Sequence, residues 1–165
     1  YVGNAYPHKN LSRLLKAFTE LDESVKLVLI GKNDYFYKKL KPTLPANVMV
    51  LHDVTDAELG YLYKHAVACV SPSLMEGFGL PLLEAMSLST MVVASDIPAF
   101  KEVCKDSALY FNPKNVHSIM STLMQALNLA PDSKKERISK GKQYASTYSW
   151  KEMVQETINA NEMCG

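Results

Sequence analysis

Cysteine is scarce: Cys69, Cys104 and Cys164 are the only three in 165 residues. An odd, widely spaced set excludes a disulfide scaffold and shows no metal-ligand spacing. Cys69 lies in an apolar run and reads as a small core residue, which fits a reducing compartment. No cluster of metal ligands is visible, so no metal and no bound cofactor are expected. No apolar run approaches the roughly 20 residues that span a bilayer, and no secretory leader pattern is present. An excess of one charge is missing as well, since the net charge is +1. That excludes a broad phosphate-backbone binder but leaves room for one local anion site. Internal repeats, low-complexity stretches and interior linkers are also absent. What remains is 165 residues that are 47% hydrophobic, enough for one domain with a full core. The chain opens on YVGN without Met, and Tyr1 and Val2 read as the end of a strand that starts upstream. A cut-out segment of a longer protein is therefore expected.

Short apolar runs alternate with helical patterns. KLVLIG (26–31), NVMVLHDV (47–54), AVACVSPS (66–73), TMVVASD (90–96) and ALYF (108–111) read as buried strands. With the opening YV they predict about six. Leu11, Leu14, Leu15, Phe18 and Leu21 form one helical face over 10–21, with Asn10 or Ser12 near its start. A weaker helix is predicted over 34–40, and Thr55 with Glu58 forms a capping-box pattern for a helix over 55–66. Pro81 suits the first turn of a helix ending near Leu88. Further helices are predicted over 97–104, 115–129 and 131–146, and over 149–163 with Trp150 as its anchor. The basic run 131–142 reads as a solvated helix face rather than a polyanion site. Strand–helix alternation implies an α/β fold, a doubly wound, Rossmann-like parallel sheet, with ligands at the carboxyl ends of the strands.

Two glycine turns stand at such ends. In SPSLMEGFGLP, Gly77 and Gly79 can adopt backbone angles that other residues avoid and let a ligand approach the main chain. The helix beginning near Leu80 offers unpaired N–H groups and the positive end of its dipole, which suits a phosphate or diphosphate. A tight turn that merely needs glycine is an equal reading. Glu76 lies in this loop, and Glu84 is placed in the first helical turn, where the dipole favours an acid in any case. Two carboxylates beside a phosphate repel it unless they accept hydrogen bonds from flanking hydroxyls, as the two sugars of a nucleotide sugar would supply. The second turn, YVGNAYPHKNL, centres on Gly3, with Lys9 at its mouth. Lys9 either balances diphosphate charge or is simply exposed. His8 reads as a surface loop residue.

These motifs resemble the C-terminal, donor-binding domain of retaining GT-B glycosyltransferases of glycosyltransferase family 4, the group-1 glycosyl transferases. Glu76 and Glu84 meet the family's E-x7-E signature within PSLMEGFGLPLLEAM. YVG…KNLSRLLKAF, KLVLIG, LYKHAVACVSPS, MVVASDIPAFKEV and SALYFNP follow in the family's order, over nearly the whole chain. The resemblance implies that residues 1–165 are the nucleotide-sugar-binding half of a GT-B fold, with the acceptor-binding N-terminal domain outside this chain. It implies that Glu76 touches the donor sugar near the reacting centre, that Glu84 holds the ribose hydroxyls, and that Lys9 pairs with the diphosphate. It places the diphosphate on the backbone of Phe78, Gly79 and Leu80, and the base near Asp53 and Val54. Gly3 and Asn4 form the first donor turn. The family carries Arg where this chain has Asn4, so Lys9 and the helix N-terminus are left as its positive groups.

The implied activity moves a hexose from a nucleoside diphosphate sugar to an acceptor hydroxyl on a glycan or lipid-linked sugar, with retention. The isolated domain should bind donor and transfer little. The implied location is cytoplasmic, with any peripheral contact at the inner membrane face made through the other domain. Two alternatives stay open: a GT-B nucleotide-sugar epimerase or hydrolase, and a non-catalytic nucleotide-sugar-binding module.

Overall fold

The computed structural model describes residues 1–148. The helix predicted over 149–163, the Trp150 anchor and Cys164 lie outside the described residues. Five parallel strands form: β1 (Leu27–Ile30), β2 (Val48–Leu51), β3 (Cys69–Ser71), β4 (Val92–Ser95) and β5 (Leu109–Phe111). β1 pairs with β2, and β4 lies between β3 and β5. The expected sixth strand is a single parallel bridge from Val2 to Ile30. Among the described residues the count is five strands plus this bridge. The Tyr1 backbone nitrogen donates to Val28 O at 2.9 Å. Beside the bridge, an apolar cavity of about 550 Å³ opens between β1 and β3, lined by Leu27, Val28, Leu62 and Val70 among others.

Seven helices intervene: α1 (Leu11–Phe18), α2 (Tyr35–Leu40), α3 (Asp56–His65), α4 (Leu80–Ser87), α5 (Pro98–Cys104), α6 (Val116–Leu127) and α7 (Pro131–Ser146). Their starts follow local chemistry. Asp34 caps α2 by accepting from the Phe36 and Tyr37 amides at 3.0 Å, Asn115 caps α6 through the Ser118 amide, and Thr55 and Glu58 close the expected capping box on α3.

Side-chain alternation along the strands separates two cores. Val70 and Val93 point to one face, against Leu14 and Phe18 of α1 and Ile119 and Leu123 of α6. Cys69, Val92 and Ala94 point to the other, against Tyr63 of α3, Leu82 and Met86 of α4, and Phe100 and Val103 of α5. The strands form two parallel sheets, β1–β2 and β3–β4–β5, and apolar contact on both faces of the latter gives the doubly wound arrangement. Cys69 and Cys104 are buried free thiols, and burial pushes Cys104 up to about 12. Two of the basic run's five cations, Arg137 and Lys140, are occupied within the chain. Arg137 donates to the Asp106 and Ala108 carbonyls, and Lys140 pairs with Asp106 and Glu136. This face of α7 is thereby an anchor to the α5–β5 connection.

Candidate functional site

Lys9 ends a single 3-10 turn, Pro7–Lys9, which breaks because Asn10 takes a left-handed conformation at φ 59°. Asparagine tolerates that region better than most residues. Its side chain is 2% exposed and turns inward, donating to Pro72 O at 2.9 Å and Pro113 O at 2.8 Å. Arg13 donates to its Oδ1 at 2.8 Å. One amide thus ties the Lys9 turn to the loops after β3 and β5. The Leu74 amide adds a fourth tie by donating to His8 O at 2.8 Å.

These ties bring the two glycine turns together. Lys9 Nζ lies 2.6 Å from Glu76 Oε1, and the side chains are only 18% and 17% exposed. Ser73, fully buried, donates to the same carboxylate oxygen at 2.6 Å. Lys9 and Glu76 line a cavity of about 280 Å³ with Phe78, Gly79, Leu80 and Phe100.

The cavity ends on α4. Gly79 caps it at φ 113°, and a Cβ there would stand 2.9 Å from Phe100, so glycine is required twice over. Gly77 differs from expectation: it has no positive φ, and a side chain would meet nothing within 4 Å. The Leu82 and Leu83 amides already donate to Gly79 O, and Pro81 has no N–H. Among the described residues, the N–H groups of Phe78, Gly79 and Leu80 meet no acceptor. They are the orphan donors of a helix start, beside the Lys9 ammonium of the cavity lining.

Glu84 departs from its expected place. α4 starts at Leu80, which puts Glu84 in the second turn, beyond the reach of the dipole argument. It shares a helix face with Leu80, four residues and about 6 Å along the axis. It does not line the cavity. Its Oε2 accepts from the Tyr63 hydroxyl of α3 at 3.1 Å.

The remaining predicted residues sit at the same sheet edge but apart from the cavity. Gly3 follows the Val2 bridge, and its carbonyl accepts from the buried Tyr37 at 2.9 Å. Asn4 spends Oδ1 on the Tyr6 amide at 3.3 Å, and its carbonyl accepts from Tyr1 Oη. Asp53 takes φ 55° at the end of β2 and is exposed, with Val54 half-buried beside it. His52 Nδ1 lies 2.6 Å from Gly31 O, with its ring edge-on to Tyr37, so the β1, β2 and Gly3 ends are linked. His8 contributes its carbonyl and a ring 6.0 Å from Tyr6.

Sequence reasoning missed Ser73, Tyr63, Tyr37 and the inward role of Asn10. Asn10 carried a signal, an asparagine before a helix, but that signal reads as a cap, and no cap hydrogen bond forms. The others carried none.

Comparison with known proteins bears on this geometry. The O-antigen chain mannosyltransferase RfbU of Salmonella typhimurium is 37% identical over 159 residues, 93% of this chain and 44% of that protein. The O-antigen chain mannosyltransferase B of Escherichia coli is 34% identical, over 99% of this chain and 45% of its own length. The chain thus spans about half the length of the curated relatives it matches. Among solved structures, the sucrose-phosphate synthase of Thermosynechococcus elongatus superposes with a TM-score of 0.80 at 19% identity, over 99% of this chain and 45% of that one. The alpha,alpha-trehalose 6-phosphate synthase of Burkholderia multivorans gives 0.82 at 15%, over 99% and 42%. At such identities the likeness shows the fold, one half of a GT-B architecture. Residues 1–144 match the family described as Glycosyl transferases group 1, and the chain belongs to that family.

Proposed function

We propose that this chain is the donor half of a retaining glycosyltransferase and binds a nucleoside diphosphate hexose. The observation that carries the reading is the meeting of Lys9, Glu76 and the unpaired amides of α4 around one cavity. The diphosphate takes the Phe78, Gly79 and Leu80 amides and Lys9. Glu76 turns from Lys9 to the hexose hydroxyls, Glu84 accepts from the ribose, and the base lies toward Asp53 and Val54. Mannose is the hexose favoured by the names of the two bacterial relatives.

The chemistry follows from the charges. As the bond from the anomeric carbon to the diphosphate stretches, negative charge grows on the leaving oxygen and positive charge on the sugar. Lys9 and the α4 amides stabilise the first, and Glu76 stands near the second. The leaving phosphate oxygen takes the acceptor proton on the same face, which gives retention. Asn4 adds no charge, so Lys9 bears more of the leaving group than an Arg–Lys pair would require. The acceptor, whose hydroxyl attacks the anomeric carbon, is held by the part of the protein outside this chain. Among the described residues no helix is long and apolar enough to cross a membrane.

Calorimetric titration of the chain with UDP, GDP and ADP, and with their glucose and mannose conjugates, tests the reading. One base should bind at micromolar to sub-millimolar strength, about −5 to −8 kcal/mol, and Lys9→Ala should abolish it. Failure of every ligand to bind the folded chain would refute a donor site here.

A further inference from the structure

Glu84 is exposed and carries three side-chain torsions, so alone it samples many orientations. A ribose binder gains from having that freedom removed beforehand. Tyr63 removes it. Its ring is 4% exposed and packs in the core between α3, α4 and β3. Its carbonyl accepts from the buried Thr90 hydroxyl at 2.6 Å, which fixes the end of α3 against the start of β4. Its hydroxyl donates to Glu84 Oε2 at 3.1 Å. Burial raises the phenol pKa, so the hydroxyl stays a donor at every working pH. Among the described residues Glu84 Oε1 has no partner, and that oxygen is left for a ligand.

We propose that Tyr63 is a positioning residue for nucleotide binding: it holds one oxygen of Glu84 and so presents the other to the ribose diol. The inference rests on the donor-site reading above and adds to it the residue that orients the ribose contact. Tyr63 lies on a different helix, 21 positions before Glu84. It does not line the Lys9–Glu76 cavity, so the proposed effect passes through that carboxylate.

The test is a double-mutant cycle on the chain, with Tyr63→Phe, Glu84→Ala and both together. UDP, GDP and ADP are titrated in parallel, and inorganic pyrophosphate serves as the ribose-free probe. Tyr63→Phe should weaken the best nucleoside diphosphate by about three- to tenfold. It should leave pyrophosphate unchanged and have no further effect in the Glu84→Ala background. A loss of the same size in that background, or an equal loss for pyrophosphate, would show a general structural effect and overturn the proposal. If Glu84→Ala weakens the nucleotide and Tyr63→Phe does not, the proposal fails while the donor-site reading stands. If neither variant matters, the ribose contact at Glu84 fails with it.

Discussion

In the free protein the ammonium that should meet a diphosphate is already occupied by Glu76 at 2.6 Å. An incoming anion must displace that carboxylate, so Glu76→Gln should tighten binding of a bare diphosphate. A fully exposed pair contributes about 0–1 kcal/mol, whereas a charged hydrogen bond shielded from water contributes about 1.5–3 kcal/mol. With the partners 18% and 17% exposed, the pair falls between, and glutamine keeps a neutral hydrogen bond. The relief is then about 1–2 kcal/mol, or about five- to thirtyfold in affinity. Isothermal titration with inorganic pyrophosphate measures it, and raising the salt should shrink the gain by screening Lys9. On the proposed donor reading, the same substitution in the longer protein should lower transfer, because it removes the carboxylate proposed to meet the sugar. Binding and turnover would move in opposite directions. Unchanged or weaker pyrophosphate binding by a folded Glu76→Gln chain would refute the competition argument.

Asn10→Ala strips hydrogen bonds from two buried carbonyls and should cost about 2–4 kcal/mol, seen as a fall of about 5–15 °C in the melting midpoint. A fall under about 2 °C would mean water replaces the amide. Gly79→Ala puts a Cβ against Phe100 at a left-handed φ and should cost about 2 kcal/mol or more; urea titration reads this, together with loss of pyrophosphate binding. Asp106 is held at about 2, below its ordinary 3.8, chiefly by hydrogen bonds from Lys140 and Tyr144. A depressed carboxylate stabilises the fold above its unfolded value, and this contribution fades as pH falls from 3.8 toward 2. Thermal melts across that window should show a smaller acid-induced loss in Asp106→Asn than in the parent.

Much of the fold was legible because it is locally encoded. The five named strands fall inside the runs that predicted them, and the α1 stripe faces the core as its periodicity requires, whereas on α6 Ile119 and Leu123 are buried and Met124 and Leu127 are exposed. Thr55 and Glu58 cap α3 within one turn of chain, and that is why their pattern could be read. The departures are equally specific. The opening YV contributes a single parallel bridge from Val2 to Ile30 rather than a named strand. Glu84 stands in the second turn because α4 starts at Leu80, four residues before it.

By itself the sequence determined the alternating α/β order, the glycine turns and the residues available at the strand ends, since periodicity and backbone permissiveness act over a few residues. Tertiary structure alone decided which of those residues meet. Lys9 reaches Glu76 across 67 positions, and Asn10 reaches Pro113 across 103. Parallel crossovers deliver remote loops to one edge, where the buried Asn10 amide finds the Pro72 and Pro113 carbonyls and Glu76 Oε1 finds Lys9 and Ser73.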